Sequence, residues 1–227
     1  GAGLMAARWE GGAWTQPALV LESPEGGAVE QNLVAQGGRL HAIWSTQDGM
    51  ILYSTAFAQD AYAAGSWSDP RLLSGDGSYA IAPDLVADAA GGIHAVFAVP
   101  VNEGRGIYYT RSADGGTWTP PRQPFDAAGA GWIAAGQPQL AVDEYGFLHV
   151  AWVRNALPDS GSPEGIYYAR SLDGGETWSE PLDAAIGSCG WPQVMVRPEG
   201  GVHLVWQELS DQDTWWHRTS SDAGEIW

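Results

Sequence analysis

The residues best suited to contact a ligand are aromatic side chains that stand shortly before a proline. Tyr79, Trp132 and Trp191 each precede the Pro or Gly-Gln-Pro that opens a new segment. Flat rings beside Asp, Asn and Arg side chains suit a sugar or a peptide. The polar candidates in neighbouring segments are Asn102, Glu103, Arg105, Arg154, Asn155, Asp159, Glu208 and Asp211. Two interpretations of the rings stay open: ligand contacts around a central channel, or plugs that fill the channel and join adjacent elements.

Four histidines recur inside short apolar runs, as in Leu40-His41-Ala42-Ile43-Trp44, and could suggest a ring of metal ligands. They are His41, His94, His149 and His203, at spacings of 53, 55 and 54 residues. One residue at the same place in every repeat is typical of a structural role, with the imidazole hydrogen-bonded inside its element. We therefore predict structural histidines.

Four arginines also occupy one repeated position, directly before a turn. They are Arg8, Arg111, Arg170 and Arg218. An anion clamp is the functional alternative, but the repetition favours ion pairs or backbone contacts at the edge of each element.

The spacing of about 54 residues means that each repeat is one supersecondary element of a propeller or solenoid. The third repeat predicts four antiparallel strands, over 138–143, 147–154, 165–170 and 177–182, and the nearly all-apolar second strand predicts burial on both faces. The fold class is therefore all-β, a β-propeller of four-stranded blades.

A turn signature closes three of the repeats. The best copy is Ser171-Leu172-Asp173-Gly174-Gly175-Glu176-Thr177-Trp178. The Asp accepts backbone N–H bonds, a glycine takes positive φ, and the Trp packs back on the blade. The residues assigned to these structural roles are Ser112, Asp114, Gly116, Trp118, Ser171, Asp173, Gly175, Trp178, Ser220, Asp222, Gly224 and Trp227.

This signature resembles the Asp-box, or BNR, repeat of the sialidase-like β-propellers, over essentially the whole chain. In that family the Asp-box lies on the outer edge, away from the ligand, so the resemblance implies a fold and not an activity. It also implies that ligands bind on the face built by the loops between second and third strands and between blades.

The resemblance also supplies a test for sialidase chemistry. Sialidases hold the substrate carboxylate with three arginines, one in a Phe/Tyr-Arg-Ile-Pro motif, and use a Tyr nucleophile with a Glu partner and an Asp acid/base. No Arg-Ile-Pro occurs in this chain, and only Arg105 and Arg154 fall on ligand-side loops. No catalytic residue is therefore assigned.

We expect one domain over 1–227, with repeats at about 29–74, 83–124, 138–183 and 192–227. A lone fourth strand over 13–21 either closes a four-bladed ring or belongs to a segment of a larger propeller, the interpretation we favour. A dimer that pools blades is a third interpretation.

Composition restricts the partners. The chain has 27 acidic and 10 basic residues, a net charge of −17, and all its basic residues are Arg. This balance argues against nucleic acid and anionic lipid, and no apolar run is long enough for membrane insertion. No cofactor or metal site is expected, although Ca²⁺ bound by loop carboxylates is left open. No signal peptide is visible, and a secreted or cell-surface location rests on the resemblance alone.

For function, the sequence favours a non-catalytic recognition or scaffold module that binds a glycan or a protein through its loop face. The alternatives are a sialidase-like glycoside hydrolase with catalytic residues partly outside this segment, and a purely structural module of a larger assembly.

Overall fold

The protein folds into short antiparallel β-strands. The computed structural model describes residues 3–24, 27–75, 77–157, 162–211 and 214–227, and these contain nineteen strands and no helix. Within those ranges no helix is therefore long and apolar enough to cross a membrane.

The chain starts with two small paired sheets. β1 (Gly3–Ala6) pairs with β4 (Ala18–Glu22), and β2 (Trp9–Glu10) pairs with β3 (Ala13–Trp14). The strand predicted over 13–21 is thus divided in two and is not alone. β4 pairs with β1 and not with a strand of the last sheet, and the described residues form no closed four-bladed ring.

Four larger sheets, which we call sheets I to IV, follow in chain order. Sheet I contains β5 (Ala28–Gln36), β6 (Arg39–Thr46), β7 (Ile51–Phe57) and β8 (Arg71–Leu72). Sheet II contains β9 (Ile81–Ala87), β10 (Ile93–Val99), β11 (Gly106–Ser112) and β12 (Arg122–Asp126). Sheet III contains β13 (Ala134–Val142), β14 (Leu148–Asn155), β15 (Pro163–Ser171) and β16 (Leu182–Ile186). Sheet IV contains β17 (Cys189–Val196), β18 (Val202–Glu208) and β19 (Trp215–Ser220).

The sheets stack face to face, and their first strands lie side by side: β5 contacts β9, β9 contacts β13, and β13 contacts β17. In β14 only Arg154 is partly exposed, which confirms the burial on both faces predicted for the second strand of the third repeat. All seven residues of β10 are buried as well, whereas buried and partly exposed residues alternate along β18 (Val202–Glu208). Tyr109 and Phe125 of sheet II, for example, share one core with Val150 and Trp152 of sheet III.

The repeated histidines join neighbouring sheets through a tyrosine. His94 Nδ1 lies 2.7 Å from Tyr109 Oη. That hydroxyl donates to Gly174 O in the turn of sheet III at 3.1 Å, and the Tyr109 ring meets Trp178 edge-on at 5.4 Å. The equivalent His–Tyr pairs are His41–Tyr53 and His149–Tyr168, both at 2.6 Å, and their tyrosines meet Trp118 and Trp227. The structural interpretation of these three histidines is confirmed.

The turns of sheets II to IV are shaped to receive these tyrosines. In sheet III, Ser171 Oγ accepts from Gly175 N at 2.8 Å, and Asp173 Oδ1 accepts from Glu176 N and Thr177 N at 3.0 and 2.9 Å. Gly175 has φ +88°, and a Cβ there would overlap the Tyr109 ring. In sheet II the glycine in this place is Gly115, one residue before the predicted Gly116, because that turn is one residue shorter.

Arginines add a second contact at the same interface. Arg111 Nη1 donates to Gly174 O at 2.9 Å, and its Nη2 pairs with Glu176 at 3.0 Å. Arg170 contacts Ala223 O and Glu225 of sheet IV in the same way. The prediction of backbone and carboxylate partners is confirmed for these two arginines.

Sheet IV departs from the pattern. His203 Nδ1 lies 2.9 Å from His217 Nε2, and the two imidazoles stack at 5.1 Å. His217 thus stands where the other sheets have a tyrosine, and its side chain is exposed.

Replacing Asp173 with Ala is expected to lower the melting temperature by a few degrees, because the N–H groups of Glu176 and Thr177 lose their acceptor. The Thr177 side chain and its backbone N–H, with Ser171, lower the pKa of Asp173 to about 2, so the carboxylate is charged at neutral pH. Thermal unfolding measures the effect, with Asp183→Ala, at an exposed position of β16, as the control. Equal melting temperatures for the two variants would contradict the structural role.

Acid is expected to destabilise the sheet interfaces. Burial lowers the pKa of His149 to about 4, although the nearby Asp143 carboxylate opposes this. Because the pKa of His149 is lower in the native than in the unfolded state, its contribution to the free energy of unfolding is fully present above about pH 6.5. This contribution is lost as the pH falls toward 4, and the loss is about 3 kcal/mol at most. The free energy of unfolding measured from pH 7 to pH 4 should fall less steeply in His149→Gln than in wild type.

Candidate functional site

The structure separates the three aromatic candidates. Trp132 is only 9% exposed and packs between Phe125 of sheet II and Tyr167 of sheet III, with ring centroids 4.4 Å from each. The structure therefore places this ring between adjacent sheets.

The two ligand-side arginines are held around Trp132. Arg105 Nε donates to Trp132 O at 2.7 Å. The Arg154 guanidinium lies over the Trp132 ring, 5.1 Å from its centroid, and its Nε pairs with Glu164 at 3.0 Å. Both cations therefore support the junction of sheets II and III.

Tyr79 lies elsewhere, against the hairpin of sheet I. Its ring covers Gly49, where a Cβ would overlap it, and Ala80 N donates to Gly49 O at 2.8 Å. The ring is 44% exposed and lines a groove with Asp48, Met50 and Leu72.

The remaining polar candidates are spread over several loops. Asn102 O accepts from Arg105 Nη1 at 3.0 Å, and Glu103 is exposed nearby. Glu208 accepts from Ser210 Oγ at 2.8 Å, and Asp211 accepts from Thr214 Oγ1 at 3.0 Å. Asp159 lies outside the described residues.

Trp191 and Asn155 are the candidates that the structure brings together, at a cavity of about 140 Å³. The cavity lies where the first strands of the four sheets begin, and the second strands of sheets II and III end there. Its walls are formed by Glu30, Ile81, Ala82, Pro100, Ala134, Ala135, Gly136, Gln137, Asn155 and Trp191. The Trp191 ring is 57% exposed, whereas Asn155 is 1% exposed.

Asn155 has an unused hydrogen-bonding group. Its Oδ1 is buried and has no partner among the described residues. A buried amide acceptor without a partner costs about 1–3 kcal/mol, so a ligand donor or a water within reach of this side chain is stabilised.

Glu30, Ala82 and Gln137 are three of the wall residues that were not candidates from the sequence. Ala82, Gln137 and Trp191 stand directly before Pro83, Pro138 and Pro192 and have φ of +52°, +51° and +56°. A left-handed conformation is uncommon for residues other than glycine. The sequence does contain a signal for Ala82 and Gln137, because each lies twelve residues before the histidine of its repeat.

One buried carboxylate braces the strands beside the cavity. Asp84 accepts from Asn32 Nδ2 of sheet I, from Leu85 N at 2.9 Å and from Leu140 N of sheet III at 2.7 Å. Burial raises the pKa of Asp84 to about 6, although the three donors favour the charged form. Asp84 thereby connects the first strands of three sheets.

The cavity is equipped for polar recognition. It presents one carboxylate, two amides and an exposed indole, and its volume is below the usual 300–1,000 Å³ of a complete small-molecule site. A glycosidase of the two-carboxylate type needs a second carboxyl group nearby, and the wall residues that the structure describes contain only Glu30. Among the described residues, no cluster of three or more His, Cys, Asp or Glu is placed to hold a metal ion.

Trp132 and Trp191 should respond differently to truncation. Trp132→Ala is expected to destabilise the protein by about 3–5 kcal/mol, because it removes a buried ring between two sheets. Trp191→Ala should change the free energy of unfolding by less than about 0.5 kcal/mol, because its ring is mostly in solvent. Denaturant unfolding distinguishes them, with Trp215→Ala as the control because Trp215 is also 57% exposed. A large loss for Trp191→Ala would show that this ring is part of the core.

No protein-family profile matches the sequence, and no curated protein matches it. Solved structures do match. A Hadza microbial sialidase shares 19% identity at a TM-score of 0.63, over 87% of this chain and 45% of that one. A Dyadobacter fermentans protein of unknown function shares 14% at a TM-score of 0.65, over 91% and 69%. A Penicillium chrysogenum α-L-arabinanase complexed with arabinobiose shares 14% at a TM-score of 0.60, over 89% and 67%.

These similarities establish the fold and not the activity, since all identities are below 25%. The chain spans less than half the length of the sialidase. It is an all-β protein of four-stranded antiparallel sheets, and it shares the fold of β-propeller glycosidases.

Proposed function

We propose that this chain is a carbohydrate-recognition module that binds a glycan on its loop face, at the cavity between the first strands. The observation that carries the proposal is the pairing of an exposed indole, Trp191, with a buried and unpartnered amide, Asn155, at one cavity. An indole offers an apolar platform for a sugar face, and an amide fixes its hydroxyl groups.

Two further observations support this function. Trp191 and Asn155 belong to different sheets, so the rigid packing of sheets III and IV sets their separation. In addition, the solved structures of similar fold include a sialidase, arabinanases, α-L-arabinofuranosidases and a polysaccharide lyase. One of the α-L-arabinofuranosidases is in complex with cellotriose, and one of the arabinanases is in complex with arabinobiose.

The second candidate is a glycoside hydrolase whose catalytic set is partly outside this segment. It is favoured by the enzymes of similar fold and by the 45% coverage of the sialidase. Glu30, the one carboxylate of the cavity wall, would then need a partner carboxyl from elsewhere. The third candidate remains a structural module.

We propose further that the sheets are Asp-box blades of a larger propeller. The Ser, Asp, Gly and Trp contacts of the turns in sheets II to IV support the Asp-box assignment. The exposed His217 and Arg218 of sheet IV, whose counterparts in other sheets contact a following turn, support a further blade.

A glycan array run beside a hydrolysis assay on arabinan and a fluorogenic sialoside tests the proposed function. We expect binding without turnover, and at least a tenfold loss of affinity in Trp191→Ala but not in the equally exposed control Trp215→Ala. Turnover would favour the hydrolase. The absence of both glycan binding and hydrolysis would favour the structural module.

A further inference from the structure

The first strands of successive sheets are connected by side chains that accept a backbone N–H from the next sheet. Glu30 Oε2 accepts from Ala82 N at 2.6 Å, and Gln137 Oε1 accepts from Trp191 N at 3.0 Å. In both cases the donor is one of the left-handed residues that precede a proline.

Between sheets II and III, the corresponding side chain is too short to make this contact. By the same order, residue 82 of sheet II would accept from Gln137 of sheet III, but Ala82 ends at its Cβ. Ala82 and Gln137 both form walls of the 140 Å³ cavity. The cavity therefore lies where a longer side chain at residue 82 would reach.

The cavity has the size of one small ring. An apolar cavity of about 150 Å³ holds one benzene molecule. One sugar ring, with some of its substituents projecting past Trp191 into solvent, is an occupant of matching size.

The charge of the site selects against anions. Among the described residues, Glu30 is the one charged residue of the wall, and no Arg, Lys or His lines the cavity. Arg105 and Arg154, the ligand-side arginines, are engaged at Trp132 and Glu164. A ligand carboxylate would thus be desolvated beside Glu30, in a protein of net charge −17, without a cation to pair with.

We infer that the cavity is a subsite for an uncharged sugar residue, one of whose hydroxyl groups occupies the place of the side chain missing at Ala82 while another donates to Asn155. This inference rests on the proposed function, and it narrows the ligand to neutral rather than acidic glycans. A hydroxyl group suits both places because it donates and accepts. Glu30 sets the charge preference, and its contact to Ala82 N keeps its carboxylate at the cavity wall.

Calorimetric titration with two glycans that differ in one acidic sugar tests the inference. A galactose-terminated oligosaccharide and its sialylated form serve as one pair, and arabino-oligosaccharides serve as a second neutral probe. We expect the neutral probes to bind at least tenfold more tightly than the sialylated one. Equal or tighter binding of the sialylated glycan would overturn the inference and leave the proposed function standing.

Two variants test whether the cavity is responsible for the binding and for the preference for neutral glycans. Ala82→Gln places an amide in the cavity, where it can accept from Gln137 N, so binding of the neutral glycan should fall at least tenfold while the melting temperature is kept or raised. Glu30→Gln keeps an acceptor for Ala82 N but removes the charge, so the preference against the sialylated glycan should shrink. If Ala82→Gln folds and binds the neutral glycan as tightly as the wild type does, the inference is overturned. Binding of no glycan by the wild type would overturn the proposed function itself.

Discussion

The contact of one sheet's tyrosine with the next sheet's turn is the interaction on which the rest of the structure depends. A histidine orients the tyrosine, the tyrosine hydroxyl reaches a glycine of the following turn, and the tryptophan that ends this turn covers the ring. At the I–II, II–III and III–IV interfaces alike, the tyrosine pairs with a histidine, meets the tryptophan edge-on and lies against a glycine of the turn. It sets the distance between sheets near their outer edge and requires glycine where the ring meets the turn.

A different set of contacts holds the sheets together at their first strands. Asp84 links sheets I, II and III, and Glu30 and Gln137 each accept a backbone N–H from the following sheet. Since the sheets are joined at both the outer and the inner side, their relative rotation is restricted. Residues that come from different sheets, such as Asn155 and Trp191, are therefore held in a constant arrangement, as a binding site requires.

The fold explains why the turns and the cavity have separate roles. The turn of sheet III contains an aspartate with a lowered pKa and several polar contacts, but all of them are made within the turn and to the neighbouring sheet. The cavity lies where the first strands begin, and there an amide is left without a partner. The turns therefore connect neighbouring sheets, whereas the cavity lies at the start of the first strands.

The sequence by itself determined the repeat, the all-β class, the burial of the second strand of the third repeat and the structural roles of His94 and Arg111. These features recur at one spacing, so the pattern within a single chain reveals them. The tertiary structure decided which aromatic ring faces solvent, because Trp132 and Trp191 precede similar Gly-Gln-Pro and Pro signals but differ in what packs on them. It also decided the pairing of β4 with β1 and the place of Glu30, Ala82 and Gln137 in one cavity. The contacts beside the cavity, such as Glu30 with Ala82 and Gln137 with Trp191, join residues more than 50 positions apart, and their geometry depends on how the sheets stack rather than on any local pattern.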